Sequence, residues 1–121
     1  MIAALLLFAC GQPVESAAAP VETASSETEG PCATAPIVTW DSFGKGFITG
    51  TCQTCHASSA PDRHGAPEAV VFDTEADVLA QAALVLEVAT GDDPRMPPEG
   101  GVSEDDRARL AWWLTCAADA P

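Results

Sequence analysis

The chain has 121 residues, 47% of them hydrophobic and 19% charged, which bounds it to a single globular domain with room for little else. Eighteen Asp and Glu against five Lys and Arg give a formal charge of −13. So acidic a balance excludes the basic face that binds nucleic acid and the polybasic patch that binds membrane surfaces. No apolar run approaches the ~20 residues of a transmembrane helix.

Residues 2–9 are an apolar run ending in Leu7-Phe8-Ala9 before Cys10. This resembles a bacterial lipoprotein signal, residues 1–10, in which an aliphatic and a small residue precede the Cys that takes the lipid. Phe8 is bulkier than that pattern prefers. A signal also opens with Lys or Arg. None precedes Ile2, so either the true start lies upstream or the match is chance. Cys10 is the lipidation candidate. Residues 11–36 follow, rich in Ala, Pro, Ser, Thr and Glu, with no basic or aromatic residue. Such a segment cannot bury enough apolar surface to offset its ordering entropy, so a disordered linker is expected. As a flexible coil it would span roughly 25–30 Å. Residues 37–121 carry all five basic residues and fourteen acidic ones, a formal charge of −9.

Thr39 is expected to cap a helix running through Trp40, Phe43, Gly44, Phe47 and Ile48 into Cys52, because its apolar positions recur at helical spacing. Gly44, Gly46 and Gly50 each cost about 1 kcal/mol inside a helix, so at least one is expected to admit a neighbouring helix.

The helix leads into Cys52-Gln-Thr-Cys55-His56, and C-x-x-C-H is the attachment signature of c-type haem. Two thiols three residues apart lie on one side of a helical turn, where they can meet the two vinyl groups of one haem. The adjacent imidazole can then ligate the iron. Two rivals fit less well. A thioredoxin-type pair needs a βαβ setting, and a zinc knuckle needs four ligands where no second C-x-x-C exists.

Downstream, Ala69-Val-Val-Phe72 reads as a loop or a short extended piece. Thr74 with Asp77 resembles a capping pair opening a helix through Val78, Ala82, Val85, Leu86 and Ala89, which Gly91 stops. Met96 then lies in a loop before Pro97 and Pro98. The residue before Pro is biased toward extended backbone. A Met in a Pro-rich loop is better suited to iron ligation than to filling a core gap, the commoner fate of Met. His64 is the competing sixth ligand, and an open position is the third reading. Ser103 with Asp106 opens the last helix, with the stripe Leu110, Trp113, Leu114 and Ala117. Trp40, Trp112 and Trp113 read as core or haem-packing aromatics. Arg63 and Arg95 are candidates to neutralise a haem propionate, with solvated surface charge as the equal alternative.

Residues 40–114 resemble a small class I cytochrome c domain. Gly44, Ile48 and Cys52 match the family's glycine, large apolar residue and first haem Cys at four-residue steps. Leu110-Ala-Trp-Trp113-Leu114 is similar to its C-terminal helix, Met96-Pro97 to its distal methionine, and Pro67 to the proline whose carbonyl region orients the proximal His. The resemblance implies an all-α, cytochrome c-like fold of about three to four helices around one covalent haem c. It further implies Cys52 and Cys55 as attachment points and His56 and Met96 as iron ligands. The first helix is richer in Gly than the family's, and the Lys ring of some mitochondrial members is absent. With haem and lipid taking three of five Cys, Cys32 and Cys116 remain, and a disulfide between them is expected; two free thiols are the alternative.

The functional expectation is a monohaem electron carrier, not an enzyme. It would be lipid-anchored in the periplasm or on the outer face of a bacterial membrane, monomeric, and would serve a redox protein with a basic docking patch. The rival readings are an open-site haem enzyme subunit or gas sensor in which Met96 does not ligate, and a structural lipoprotein whose haem is incidental.

Overall fold

The computed structural model describes residues 30–117. The signal-like run with Cys10, the linker up to residue 29, and residues 118–121 lie outside the described residues. Four helical runs make up the described chain, with no strand among them. We label them α1 (residues 40–56), α2 (Glu75–Ala80), α3 (Ala82–Ala89) and α4 (Glu104–Cys116). No described helix is long and apolar enough to cross a membrane.

Thr39 caps α1 through a reciprocal box. Its hydroxyl accepts from the Ser42 amide at 3.1 Å, and the Ser42 hydroxyl accepts from the Thr39 amide at 3.0 Å. The helix runs on past Cys52 to His56. It is wound unevenly, with wide π turns over Trp40–Gly44 and Ile48–Cys52 and α turns over Lys45–Phe47 and Gln53–His56. Wide turns of this kind recur in helices that carry functional side chains.

The helix expected from Thr74 to Ala89 is two helices. Thr74 and Asp77 form the expected box. At Gln81 the backbone leaves helical dihedrals (φ −117°, ψ 18°), and the Gln81 side-chain amide donates to the Val71 carbonyl at 3.3 Å. Tying that side chain to the preceding loop turns the chain between α2 and α3. The Thr90 hydroxyl donates to the Leu86 carbonyl at 2.6 Å, and Gly91 at φ +79° carries the chain away from α3.

Ser103 caps α4 by accepting from the Asp106 amide at 3.1 Å. The predicted stripe holds: Leu110, Trp113 and Leu114 are buried and Ala117 is partly so. They join Ile48 of α1, Phe72, Val78 of α2, and Val85 and Ala89 of α3 in one core. Trp112 is a correction. It faces outward at 39% exposure, because its neighbour Trp113 takes the core side of the helix.

Helices α1 and α4 meet at Gly44. A Cβ there would lie 2.9 Å from a ring carbon of Trp40 and 3.1 Å from two of Trp113, while Gly46 and Gly50 have nothing within 4 Å. The Trp40 and Trp113 rings face each other with centroids 5.6 Å apart. Cys32 and Cys116 stand at disulfide distance, Sγ to Sγ 2.09 Å and Cα to Cα 5.5 Å, within the range that a bridge requires. The last residues of the expected linker are thereby held against the end of α4.

Candidate functional site

The end of α1, the loop that follows it, α3 and the Met96 loop enclose a cavity of about 320 Å³ with largely apolar walls. Cys52, Cys55, His56 and Met96 all line it, which brings together four residues spread over 45 positions of sequence. Phe47, Val70, Phe72, Val85 and Val88 supply apolar wall. The volume lies in the range of ligand and cofactor sites, and a few polar groups on an apolar surface are their usual make-up.

The segment from residue 57 to 73 has no regular structure, yet it is fastened to the turn of Cys52, Cys55 and His56 at several points. The Phe72 amide donates to the His56 carbonyl at 2.8 Å, and the Gln53 side chain donates to the Phe72 carbonyl at 2.8 Å. His56 Nδ1 lies 3.0 Å from the Val70 carbonyl. A carbonyl only accepts, so Nδ1 carries the proton, and the lone pair is left on Nε2 for a ligand. The Phe72 ring lies against the imidazole, centroids 5.0 Å apart.

Pro67 lines the cavity but does not orient His56; its own carbonyl accepts from the Val70 amide at 2.9 Å and from Arg63 at 3.0 Å. The turn that Pro67 begins delivers Val70 to that role. Arg63 also lines the cavity, but its guanidinium is committed to backbone carbonyls, those of Cys55 (3.1 Å), Glu68 (3.3 Å), Pro67 (3.0 Å) and Val70 (2.6 Å). It is a brace for the loop, with one N–H donor left over. Arg95 is not at the cavity. It pairs with Glu87 at 3.1 Å on the open surface, the bland reading of that residue.

His64 borders the cavity with its side chain 62% exposed and its Nδ1 3.8 Å from Asp62. Its backbone sits at φ +49°, held by its amide on the Asp62 carboxylate at 2.8 Å. Sequence reading missed Arg107, which reaches the cavity from α4 and bonds the Ala89 and Met96 carbonyls. Nothing in its spacing distinguished it from a surface charge.

The chain matches no protein-family model, no curated protein and no solved structure. The site therefore has to be read from its own chemistry. Burial pushes the Cys52 thiol up to about 11, which favours its protonated form. Neither Cys52 nor Cys55 is bonded to another Cys. Among the described residues no group of three or more His, Cys, Asp or Glu side chains is arranged to hold a bare metal ion. Two thiols, one imidazole and one thioether line the same apolar cavity, where Cys52 and Cys55 could serve as covalent anchors, and His56 and Met96 as axial donors, for an iron porphyrin.

Proposed function

We propose that the protein is a monohaem c-type cytochrome of the small class I type, carrying single electrons outside the bacterial cytoplasm. The observation that carries this reading is the placing of Cys52, Cys55, His56 and Met96 on one apolar cavity. Haem, when bound, supplies a one-electron iron couple, which needs no substrate at the metal. Cys52 and Cys55 hold the macrocycle through their sulfurs. His56 offers Nε2 to the iron, and the Val70 carbonyl fixes its tautomer and raises its basicity. Met96 offers its thioether, which favours the reduced iron and so a high potential. Val70, Val85 and Val88 supply apolar wall around that position.

Met96 is favoured over His64 as the second axial donor because its backbone is fastened on both sides. Its amide donates to the Val88 carbonyl at 2.8 Å and its carbonyl accepts from Arg107 at 2.9 Å. The His64 ring is solvated and beside a carboxylate. Glu87, Asp92, Asp93 and Glu99, all exposed, flank Met96 in the sequence, a surface suited to a redox partner with a basic patch. The lipid anchor at Cys10 belongs to the same reading and would hold the carrier near that partner.

The test is Met96→Ala in protein matured by a haem-attachment system. Haem remains covalently bound, the ferric charge-transfer band of Fe–S(Met) disappears, the ferrous form gains carbon monoxide binding, and the potential falls. An unchanged band would remove Met96 from the iron and promote His64. Carbon monoxide binding by the unmutated ferrous protein would favour the open-site reading.

A further inference from the structure

Met96 is poorly held by its own side chain. It is 39% exposed, far from the packing of a core side chain. Its loop is also loose by composition. Gly91, Gly100 and Gly101 all sit at positive φ, where only a residue without Cβ rests freely. Pro97 and Pro98 contribute no amide to any hydrogen bond. Something other than packing must keep the thioether in register with the cavity.

The bonds that do so converge at the end of α3. A helix leaves its last carbonyls without partners, and here the Met96 loop and α4 supply them. The Arg95 and Met96 amides both donate to the Val88 carbonyl, at 2.7 and 2.8 Å. Arg107 Nη1 donates to the Ala89 carbonyl at 2.6 Å and to the Met96 carbonyl at 2.9 Å. One nitrogen of Arg107 thus ties the end of α3, the Met96 backbone and α4 together. A cation at a helix C-terminus is also favoured by the helix dipole. Arg107 is partly buried, and its bonds to carbonyls are charge-assisted, the stronger kind.

We propose that Arg107 is the positioning residue for Met96: by bonding the Ala89 and Met96 carbonyls together from α4, it keeps the thioether on the iron and the sixth position closed to other ligands. This rests on the reading of Met96 as an axial donor. Val88 restrains the loop through its amides alone, which leaves the Met96 carbonyl side free to swing if Arg107 is lost. Lys in this place would keep the charge but on a shorter side chain, with a compact, strongly hydrated ammonium in place of Nη1.

The experiment uses the full, haem-loaded chain with Arg107→Gln, Arg107→Lys and, as control, Arg109→Gln, an exposed charge on the same helix. The readouts are the ferric Fe–S(Met) band, carbon monoxide binding to the ferrous form, and the denaturant midpoint as a check on folding. Arg107→Gln is expected to weaken the band and admit carbon monoxide, Arg107→Lys to fall between it and the unmutated protein, and Arg109→Gln to change neither. An intact band and no carbon monoxide binding in both Arg107 variants would overturn the proposal. So would an equal opening by Arg109→Gln, which would assign the effect to charge alone. If Arg107→Gln does not fold, Arg107→Lys decides by the same two readouts. If the unmutated protein itself lacks the band, the ligation by Met96 has failed, and that outcome is distinct from the others because it appears before any substitution.

Discussion

Arg63 spends four of its five N–H donors on backbone carbonyls, and two of those reach the turn at the end of α1: Cys55, within it, and Val70, whose carbonyl also holds His56. The loop from residue 57 to 73 has no secondary structure of its own, so this side chain replaces part of what a strand or helix ladder would do. Removing it leaves carbonyls with lost partners, which costs about 1–3 kcal/mol where they are desolvated. Arg63→Gln is therefore expected to lower the unfolding free energy by about 2–3 kcal/mol, read by denaturant titration of the haem-loaded protein. A change under about 0.5 kcal/mol, the usual size for a surface charge, would deny Arg63 its role as brace. The residues of the site were legible to different degrees. Cys52, Cys55 and His56 were marked by spacing, because their chemistry demands neighbours on one turn. Met96 was marked by its prolines. Arg63 and Arg107 were not legible in these roles, since an Arg that binds carbonyls and an Arg in solvent look alike in a sequence. The choice of Val70 over Pro67 as the partner of His56 depends on how the turn closes, which no residue type announces.

At the scale of the helix, Gly44 carries the crossing of α1 and α4. An added methyl would meet the Trp40 and Trp113 rings at 2.9–3.1 Å, and Trp113 is buried in the core, so the crossing must give to admit it. Overpacking of this kind costs about 1–3 kcal/mol, partly offset by the better helix propensity of Ala. Gly44→Ala is expected to destabilise by about 1–2 kcal/mol, whereas Gly46→Ala, with open space around it, is expected to gain up to ~1 kcal/mol. Equal responses at the two positions would mean that the crossing is not at Gly44. The caps at Thr39, Thr74 and Ser103 were readable because each places a short polar side chain three residues before a second one, ahead of an apolar run. The break at Gln81 was not. The apolar spacing runs unbroken from Val78 to Ala89, and it is a contact with Val71, ten residues back, that turns the chain. The wide turns of α1 are equally silent in the sequence, for they alter the winding without altering which positions are apolar.

Taken as a whole, the described residues bury eight side chains in a thin core, and an added cross-link is the usual support for a domain of this size. Cys32 and Cys116 are 84 residues apart, and a bridge closing so long a loop is worth roughly 4–5 kcal/mol in the chain-entropy model. Peptide mapping without reductant is expected to recover the two as a linked pair, and replacing both with Ser to lower stability by about 2–5 kcal/mol while the haem stays attached. Alkylation of both thiols in the native, unreduced protein would rule the bridge out. The domain's formal charge of −9 acts at this scale too, through long-range electrostatics more than through the fold.

The central claim is a covalent haem whose iron is held by His56 and Met96, and the measurement closest to it is a redox titration followed by optical spectra on protein matured by a haem-attachment system. The expected result is one haem per chain that resists acid-organic extraction, a single reversible one-electron transition at a high potential, and a ferric Fe–S(Met) band that vanishes on reduction. A chain that emerges from maturation with both Cys52 and Cys55 as free thiols, or a covalent haem whose ferrous form binds carbon monoxide and whose ferric form has no such band, would contradict it.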